Sequence, residues 1–407
     1  MDWERFGIYV FSAFYGYACL TAPYKGRKWV NRLTVFIILL LLMWLPACDD
    51  TRTITETEYV DRDVIVTEPY YTRTVYDENM GEFTAEQQDE LRTKGYITMR
   101  LFYKTAFPGE VWQSIDSGFT GSYAVMALTQ IGTRIISGGQ VDKIGISDDY
   151  GETWSASTIS ALSGASIYCL GTFGTRVAGG SLGRIIYSTD SGATWSLAAT
   201  PRFSDSVNQI IGVGNRAWAV GSVTGTQVGV AYSDNGNTWT AVTHPSPGHD
   251  VYTICAVGSR LVVGLGSYGI FYSDDSGTSW TAATTDIGFG DNVLNIKLSQ
   301  TGRLIAAVGS STGGKIRYSD DNGETWSDVT SHGFGASYGP RVVTAIGYRI
   351  VAAGYDGRIE ISDDDGLTWL AAVDSQFGST LIRDLLSIGV VKIIACGLDN
   401  KMAFSRN

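Results

Sequence analysis

The side chains that could do chemistry are few and far apart in this chain of 407 residues. Beyond residue 105 the only glutamates are Glu110, Glu152, Glu324 and Glu360, and Glu360 alone has reactive company, in Tyr355, Asp356 and Arg358. Retaining glycoside hydrolysis needs two carboxyl groups facing each other roughly 5 Å apart across a cleft. Glu360 would have to meet Asp291 or Asp384 through folding to satisfy that demand. It instead belongs to Gly-Arg-Ile-Glu-Ile, where neighbouring repeats carry a strand, so no catalytic residue is assigned and the protein is read as a non-enzyme. Three histidines, His244, His249 and His332, are spread over more than one repeat, and no metal site is expected from them. Cysteines stand at 19, 48, 169, 255 and 396 without a Cys-x-x-Cys pair, which argues against structural zinc or thiol redox chemistry. Cys169, Cys255 and Cys396 lie in apolar runs and read as buried free thiols. No cofactor is implied. A net charge of −11 excludes nucleic acid as a bulk partner.

What the sequence repeats is an element, not a reactive group. The octet Ser-x-Asp-x-Gly-x-Thr-Trp runs from Ser147 to Trp154 and recurs from Ser188, Ser273, Ser319 and Ser362; a sixth copy, Tyr232 to Trp239, opens on tyrosine. Its fixed residues are Asp149, Gly151 and Trp154; Asp190, Gly192 and Trp195; Asp234, Gly236 and Trp239; Asp275, Gly277 and Trp280; Asp321, Gly323 and Trp326; and Asp364, Gly366 and Trp369. Each octet lies between two short β-forming runs. The aspartate can hydrogen-bond its own turn, the glycine supplies a backbone with φ > 0, and the tryptophan buries a large ring between sheets. One such unit, an antiparallel sheet of four strands, is too small to bury its own faces, so repetition is required.

Counting tryptophans gives the number of sheets. Trp112 and the six octet tryptophans recur at intervals of 41 to 46 residues. At the C-terminus, Ser405-Arg406-Asn407 matches the opening of the octet with Asn407 in the aspartate place, and Gly109-Glu110-Val111-Trp112 matches its close. The two ends read as halves of one seventh octet, so that Val111–Ile115 forms the outer strand of the last sheet. Closure of this kind removes open strand edges. A cation opens each second strand: Arg134, Arg176, Arg216, Arg260, Arg303, Arg349 and Lys392. A structural contact in the first hairpin is expected of them, rather than an anion-binding collar.

The octet resembles the Asp-box, or bacterial neuraminidase repeat, found in sialidases, sortilin-type receptors and photosystem II assembly factors. The resemblance implies an all-β, seven-bladed β-propeller with four-stranded antiparallel blades over residues 105–407, in which the boxes are structural. A sialidase would need an arginine triad, a tyrosine nucleophile with a glutamate partner and an aspartate acid. No Arg-Ile-Pro motif occurs, and outside the ring positions the arginines are few: Arg184, Arg202, Arg317, Arg341, Arg358, Arg383 and Arg406.

Ahead of the propeller, a basic and aromatic region (1–32) precedes fifteen uncharged residues, LTVFIILLLLMWLPA, at 33–47. A cationic flank before an apolar run of this length suits a signal peptide or a membrane anchor. Leu45-Pro46-Ala47-Cys48 resembles a bacterial lipobox, which implies lipidation of Cys48 and a location in the cell envelope. Residues 49–83, acidic and rich in Thr and Val, read as an extended stalk open to self-association, and Thr84 with Gln87 opens a short helix and connector over 84–104. The function expected is that of a membrane-tethered scaffold binding a protein or glycan, with a surface sialidase or a structural envelope component as alternatives. Candidate contact residues in the linking loops are His244, His249, Phe289, His332, Phe334 and Tyr338.

Overall fold

The computed structural model describes residues 64–67, 74–77 and 108–406, the last with gaps at 201–202, 204, 223–228, 285–290, 310–312 and 336–338. Two units separate at Thr105. In the first, β1 (Val64–Thr67) pairs antiparallel with β2 (Thr74–Asp77), Val64 opposite Asp77. This corrects the expectation of an extended stalk: the segment turns back and pairs with itself, although no glycine lies between the strands. The expectation of a membrane segment as part of the fold is corrected as well. Among the described residues no helix is long and apolar enough to cross a membrane. The apolar run at 33–47, Cys48 and the helix expected at 84–104 lie outside the described residues.

The second unit is a ring of seven four-stranded antiparallel sheets. Its chain enters through β3 (Gln113–Ile115) and then builds blade one from β4 (Val125–Ile131), β5 (Arg134–Gly139), β6 (Lys143–Ser147) and β7 (Ser155–Thr158). Blade two holds β8 (Cys169–Phe173), β9 (Arg176–Gly180), β10 (Ile185–Ser188) and β11 (Ser196–Leu197). Blade three holds β12 (Val207–Val213), β13 (Arg216–Gly221), β14 (Val230–Ser233) and β15 (Thr240–Ala241). Blade four holds β16 (Val251–Val257), β17 (Arg260–Leu265), β18 (Gly269–Ser273) and β19 (Thr281–Ala282). Blade five holds β20 (Asn292–Leu298), β21 (Leu304–Gly309), β22 (Lys315–Ser319) and β23 (Ser327–Asp328), and blade six holds β24 (Pro340–Ile346), β25 (Arg349–Gly354), β26 (Ile359–Ser362) and β27 (Leu370–Ala371). Blade seven joins β28 (Ile382–Ile388), β29 (Lys392–Gly397) and β30 (Met402–Arg406) to β3, with Gln113 opposite Phe404. First strands neighbour one another around the axis, and β28 meets β4.

The core lies between blades, because a single sheet of this size cannot cover its own faces. Between blades seven and one, Ile394, Cys396, Met402 and Phe404 pack on Ile135, Val125 and Leu128. The boxes fasten this packing from the rim. Ser147 Oγ accepts the Gly151 N–H at 2.7 Å and donates to Asp149 at 2.7 Å, while Asp149 accepts the Thr153 hydroxyl at 2.6 Å. Those bonds, with the Thr153 hydroxyl foremost, hold the Asp149 carboxyl far below the usual carboxylate range. Gly151 has φ +83°, and a Cβ there would lie 2.3 Å from Ile394 of blade seven, so the glycine is demanded twice.

The third box departs from the sequence reading. Ser233 and Asn235 take the serine and aspartate roles in a box one residue shorter: Gly236 N–H reaches Ser233 Oγ at 2.8 Å and Thr238 N–H reaches Asn235 Oδ1 at 2.9 Å. Asp234 instead pairs with Arg216 at 2.7 Å. In the fourth, Trp280 Nε1 donates to Thr243 O rather than to Gly277.

The split box forms across 296 residues of sequence: Gly109 N–H donates to Ser405 Oγ at 2.8 Å, and Trp112 Nε1 donates to Gly109 O at 2.8 Å. Asn407 lies outside the described residues. The outer strand here is shorter than expected, Gln113–Ile115, because Val111 bridges to Asp374 of the neighbouring blade.

Ring cations add a second fastening. Arg134, Arg260, Arg303 and Arg349 pair with Asp148, Asp274, Asp320 and Asp363 of their own boxes at 2.6 Å. The same guanidiniums reach the next blade, at Ser191 O, Asn322 O, Asp365 O and Pro108 O. Lys392 and Arg406 of blade seven both hold Glu152 of blade one.

Ser405→Ala leaves the buried Gly109 N–H without its acceptor and should cost about 1–3 kcal/mol in urea unfolding. Ser147→Ala should cost a similar amount, although its box is local in sequence; a negligible effect of Ser405→Ala alone would show that the ring is held elsewhere.

Candidate functional site: the axial mouth

Six of the seven first strands contain a register shift near their start. Each shift leaves one residue out of the ladder: Met126, Asn208, Tyr252, Leu294, Arg341 and Arg383. Bulges of this kind re-aim a side chain, and here they gather unlike residues from neighbouring blades at one end of the axis. Tyr168, immediately before β8, holds the corresponding place in blade two. Arg383 Nε lies 3.4 Å from Met126 Sδ, and Arg341 hydrogen-bonds Tyr355 from the turn after β25.

The electrostatics of this mouth are unusual for a chain of net charge −11. Burial, and then the neighbouring Arg341, push the Arg383 guanidinium down to about 10. Arg341 is lowered by burial as well, against the opposing pull of Tyr355 and Asp384. Burial pushes the Asp384 carboxyl up to about 6, although the Leu128 amide, Lys297, the Leu385 amide and Arg341 all favour its charged form. Asp384 accepts the Leu128 N–H at 2.8 Å and the Leu385 N–H at 2.9 Å, so its oxygens are aimed at backbone that joins blades seven and one. Two crowded guanidiniums remain, with tyrosine phenols around them. Such an arrangement is suited to an oxyanion, whose charge would relieve the mutual repulsion and whose oxygens match the planar donors.

The residues for acid–base hydrolysis are not assembled with them. Glu360 is 1% exposed on β26, paired with Arg358 at 2.7 Å and accepting the Gly333 N–H at 2.8 Å. Among the described residues, therefore, the axial mouth brings together two arginines without a tyrosine–glutamate pair, and no metal-holding cluster occurs.

The loop residues fall into two places. His244 and His249 share one loop: Ser246 N–H donates to His244 Nδ1 at 3.0 Å, and His249 stacks on Tyr268 with centroids 3.9 Å apart. Burial lowers the pKa of His244. His332 and Phe334 lie 6.2 Å apart, and Phe334 packs into the core between blades five and six, which removes it as a contact residue. Phe289 and Tyr338 lie outside the described residues. The three propeller cysteines are buried and free, with burial raising Cys169 to about 12 and Cys255 to about 11.

In the sequence alone Arg341 and Arg383 stand among the few arginines outside the ring positions. The signal that singles them out is their repeat offset, eight or nine residues ahead of the ring cation, shared with Met126, Tyr168, Asn208, Tyr252 and Leu294.

Comparison with known proteins agrees with this architecture. The BNR/Asp-box repeat family matches residues 317–328. No curated protein matches the chain. Among solved structures, YCF48 bound to D1 peptide is similar at 20% identity with a TM-score of 0.59, covering 74% of this chain and 98% of that one. YCF48 from Cyanidioschyzon merolae follows at 15% identity and a TM-score of 0.58, covering 72% and 98%. A GH74 xyloglucanase from Xanthomonas campestris shows 14% identity and a TM-score of 0.55, with 73% of this chain and 54% of that one covered. The chain is a seven-bladed Asp-box propeller that shares the YCF48 fold.

Asp384 gives the site a pH signature. Because its folded pKa lies above the unfolded value of 3.8, its contribution to stability is full below about pH 4 and is lost as pH rises through about 6. Asp384→Asn, which keeps an acceptor for the Leu128 amide, should gain on the parent by up to about 3 kcal/mol between pH 4 and pH 7.5 in urea unfolding.

Proposed function

We propose that the propeller is a non-catalytic, extracytoplasmic binding and scaffold module that holds a protein or glycan through an anionic group at the axial mouth. The observation that carries this reading is the pairing of Arg341 with Arg383, with Asp384 turned to the backbone and Glu360 held away in its own ion pair. The boxes and most ring cations occupy one another at the rim, so recognition at the axial residues need not disturb what closes the ring. A propeller of the same fold, YCF48, has been seen bound to a D1 peptide, which supports a peptide as one class of partner here. Tethering through a lipid on Cys48 belongs to the same proposal. It rests on Lys25, Arg27, Lys28 and Arg32 ahead of the apolar run, and on Leu45-Pro46-Ala47-Cys48.

Arrays of peptides and glycans probed with the parent protein and with Arg341→Gln/Arg383→Gln test the reading. Retained ligands should share an exposed carboxylate, sulfate or phosphate, and the double variant should bind them about tenfold or more weakly. Ligands without an anionic group, or turnover of a fluorogenic sialoside by the parent, would contradict it. Metabolic palmitate labelling lost in Cys48→Ala is the expected outcome for the tether.

A further inference from the structure

Near the axis the blades are tied together by a second set of repeated bonds. In four blades the residue directly after the bulge accepts a backbone N–H of the next blade. Gln209 accepts from Ile254 at 2.6 Å, Thr253 from Ile296 at 2.9 Å, Asn295 from Val343 at 3.1 Å and Asp384 from Leu128 at 2.8 Å. The first three acceptors are neutral, so the sibling blades show that this bond needs an oxygen and not a charge. Of the four, blade seven alone uses a carboxylate, although taking an ionised carboxylate out of water is costly and an amide makes the same bond in blade five.

The charge of Asp384 meets its own surroundings. Arg383 precedes it on β28, and Arg341 acts on it from β24, Lys297 from β20, Cys396 from the paired β29, Cys169 from β8 and the Leu128 amide from β4. Burial opposes the charged forms of both Asp384 and Arg341, and each favours the charged form of the other. Arg341, Arg383 and Asp384 all retain some exposure. Burial pushes the Asp384 carboxyl up to about 6, so it changes charge in a range well below that of Arg383, which lies at about 10.

We propose that Asp384 is a built-in counter-ion for the axial arginines, and that its protonation raises the affinity of their site for an oxyanion. Asp384 thereby regulates the anion site proposed above at Arg341 and Arg383, a role that rests on that reading. Ionised, it offsets part of the arginine charge and repels an incoming anion. Once it takes a proton from solvent, its neutral carboxyl keeps an oxygen for the Leu128 N–H, as Asn295 does for Val343, and the guanidiniums meet the anion uncompensated. Linkage requires the reverse as well: an anion bound beside Asp384 favours its neutral form, so binding near its pKa takes up protons.

The test is equilibrium dialysis of the full-length protein against radiolabelled sulfate, an anion that keeps its double charge across the range used, with Asp384→Asn and Arg341→Gln/Arg383→Gln alongside. The parent should bind sulfate about tenfold more tightly at about pH 5 than at about pH 8. Asp384→Asn should bind at both pH values about as tightly as the parent does at the lower one, a gain at the higher pH that misfolding cannot produce. The arginine double variant, checked for parent-like circular dichroism, should bind about tenfold or more weakly than the parent at about pH 5. Equal affinity of the parent at both pH values, or an Asp384→Asn variant that keeps the parent's pH dependence, overturns the counter-ion role while leaving the anion site in place. A parent that binds no sulfate, or binds it equally well without the two arginines, overturns the anion site and this role with it.

Discussion

The hydrogen bond from a box glycine amide to a box serine hydroxyl is the constraint on which this protein depends. Gly151 to Ser147, Gly192 to Ser188 and Gly323 to Ser319 all span four residues, and Gly109 to Ser405 makes the same bond between the two ends of the propeller chain. Each bond holds a glycine at positive φ against the preceding blade, where a Cβ has no room: Gly192 faces Ile136, and Gly366 faces Ile305. Blade packing and box geometry are therefore one arrangement. A sheet of four short strands gains little burial alone, and the box is what sets the approach of its neighbour.

Closure then determines what else the molecule can do. At the rim, Lys392 and Arg406 join blade seven to blade one through Glu152. At the axis, Asp384 joins them through the Leu128 amide. Six of the seven ring cations are paired with box carboxylates or with Glu152, which leaves them no collar to offer a ligand. At the axis, among the described residues, Arg341 and Arg383 lie in bulges of neighbouring first strands and repel one another, while Asp384 directs its oxygens to backbone amides.

Much of this was legible in the sequence because it is periodic. Trp112 fell on the tryptophan interval, and Ser405 and Gly109 read as halves of one motif, since turn chemistry forces the same residue types into each copy. Where periodicity fails, residue type alone misleads. The octet pattern assigns Asp234 to the box, but a one-residue deletion moves that role to Asn235 and frees Asp234 for Arg216. Loop position suggests Phe334 as a contact residue, but its ring packs into the core between blades five and six. The absence of glycine around β1 and β2 suggests an extended segment, yet the two strands pair. Arg341 and Arg383 were visible but uninterpreted: a bulge, which redirects a side chain toward the axis, has no signature in residue type.

The two ends of the propeller chain close the ring through the Gly109–Ser405 bond. Native-state hydrogen exchange at the Gly109 amide tests it most directly. If the split box is equivalent to the local ones, Gly109 exchanges only through global unfolding, with the same protection as Gly151. Rapid exchange of Gly109 while Gly151 remains protected would mean that the ring is open at the seventh blade, contradicting the account.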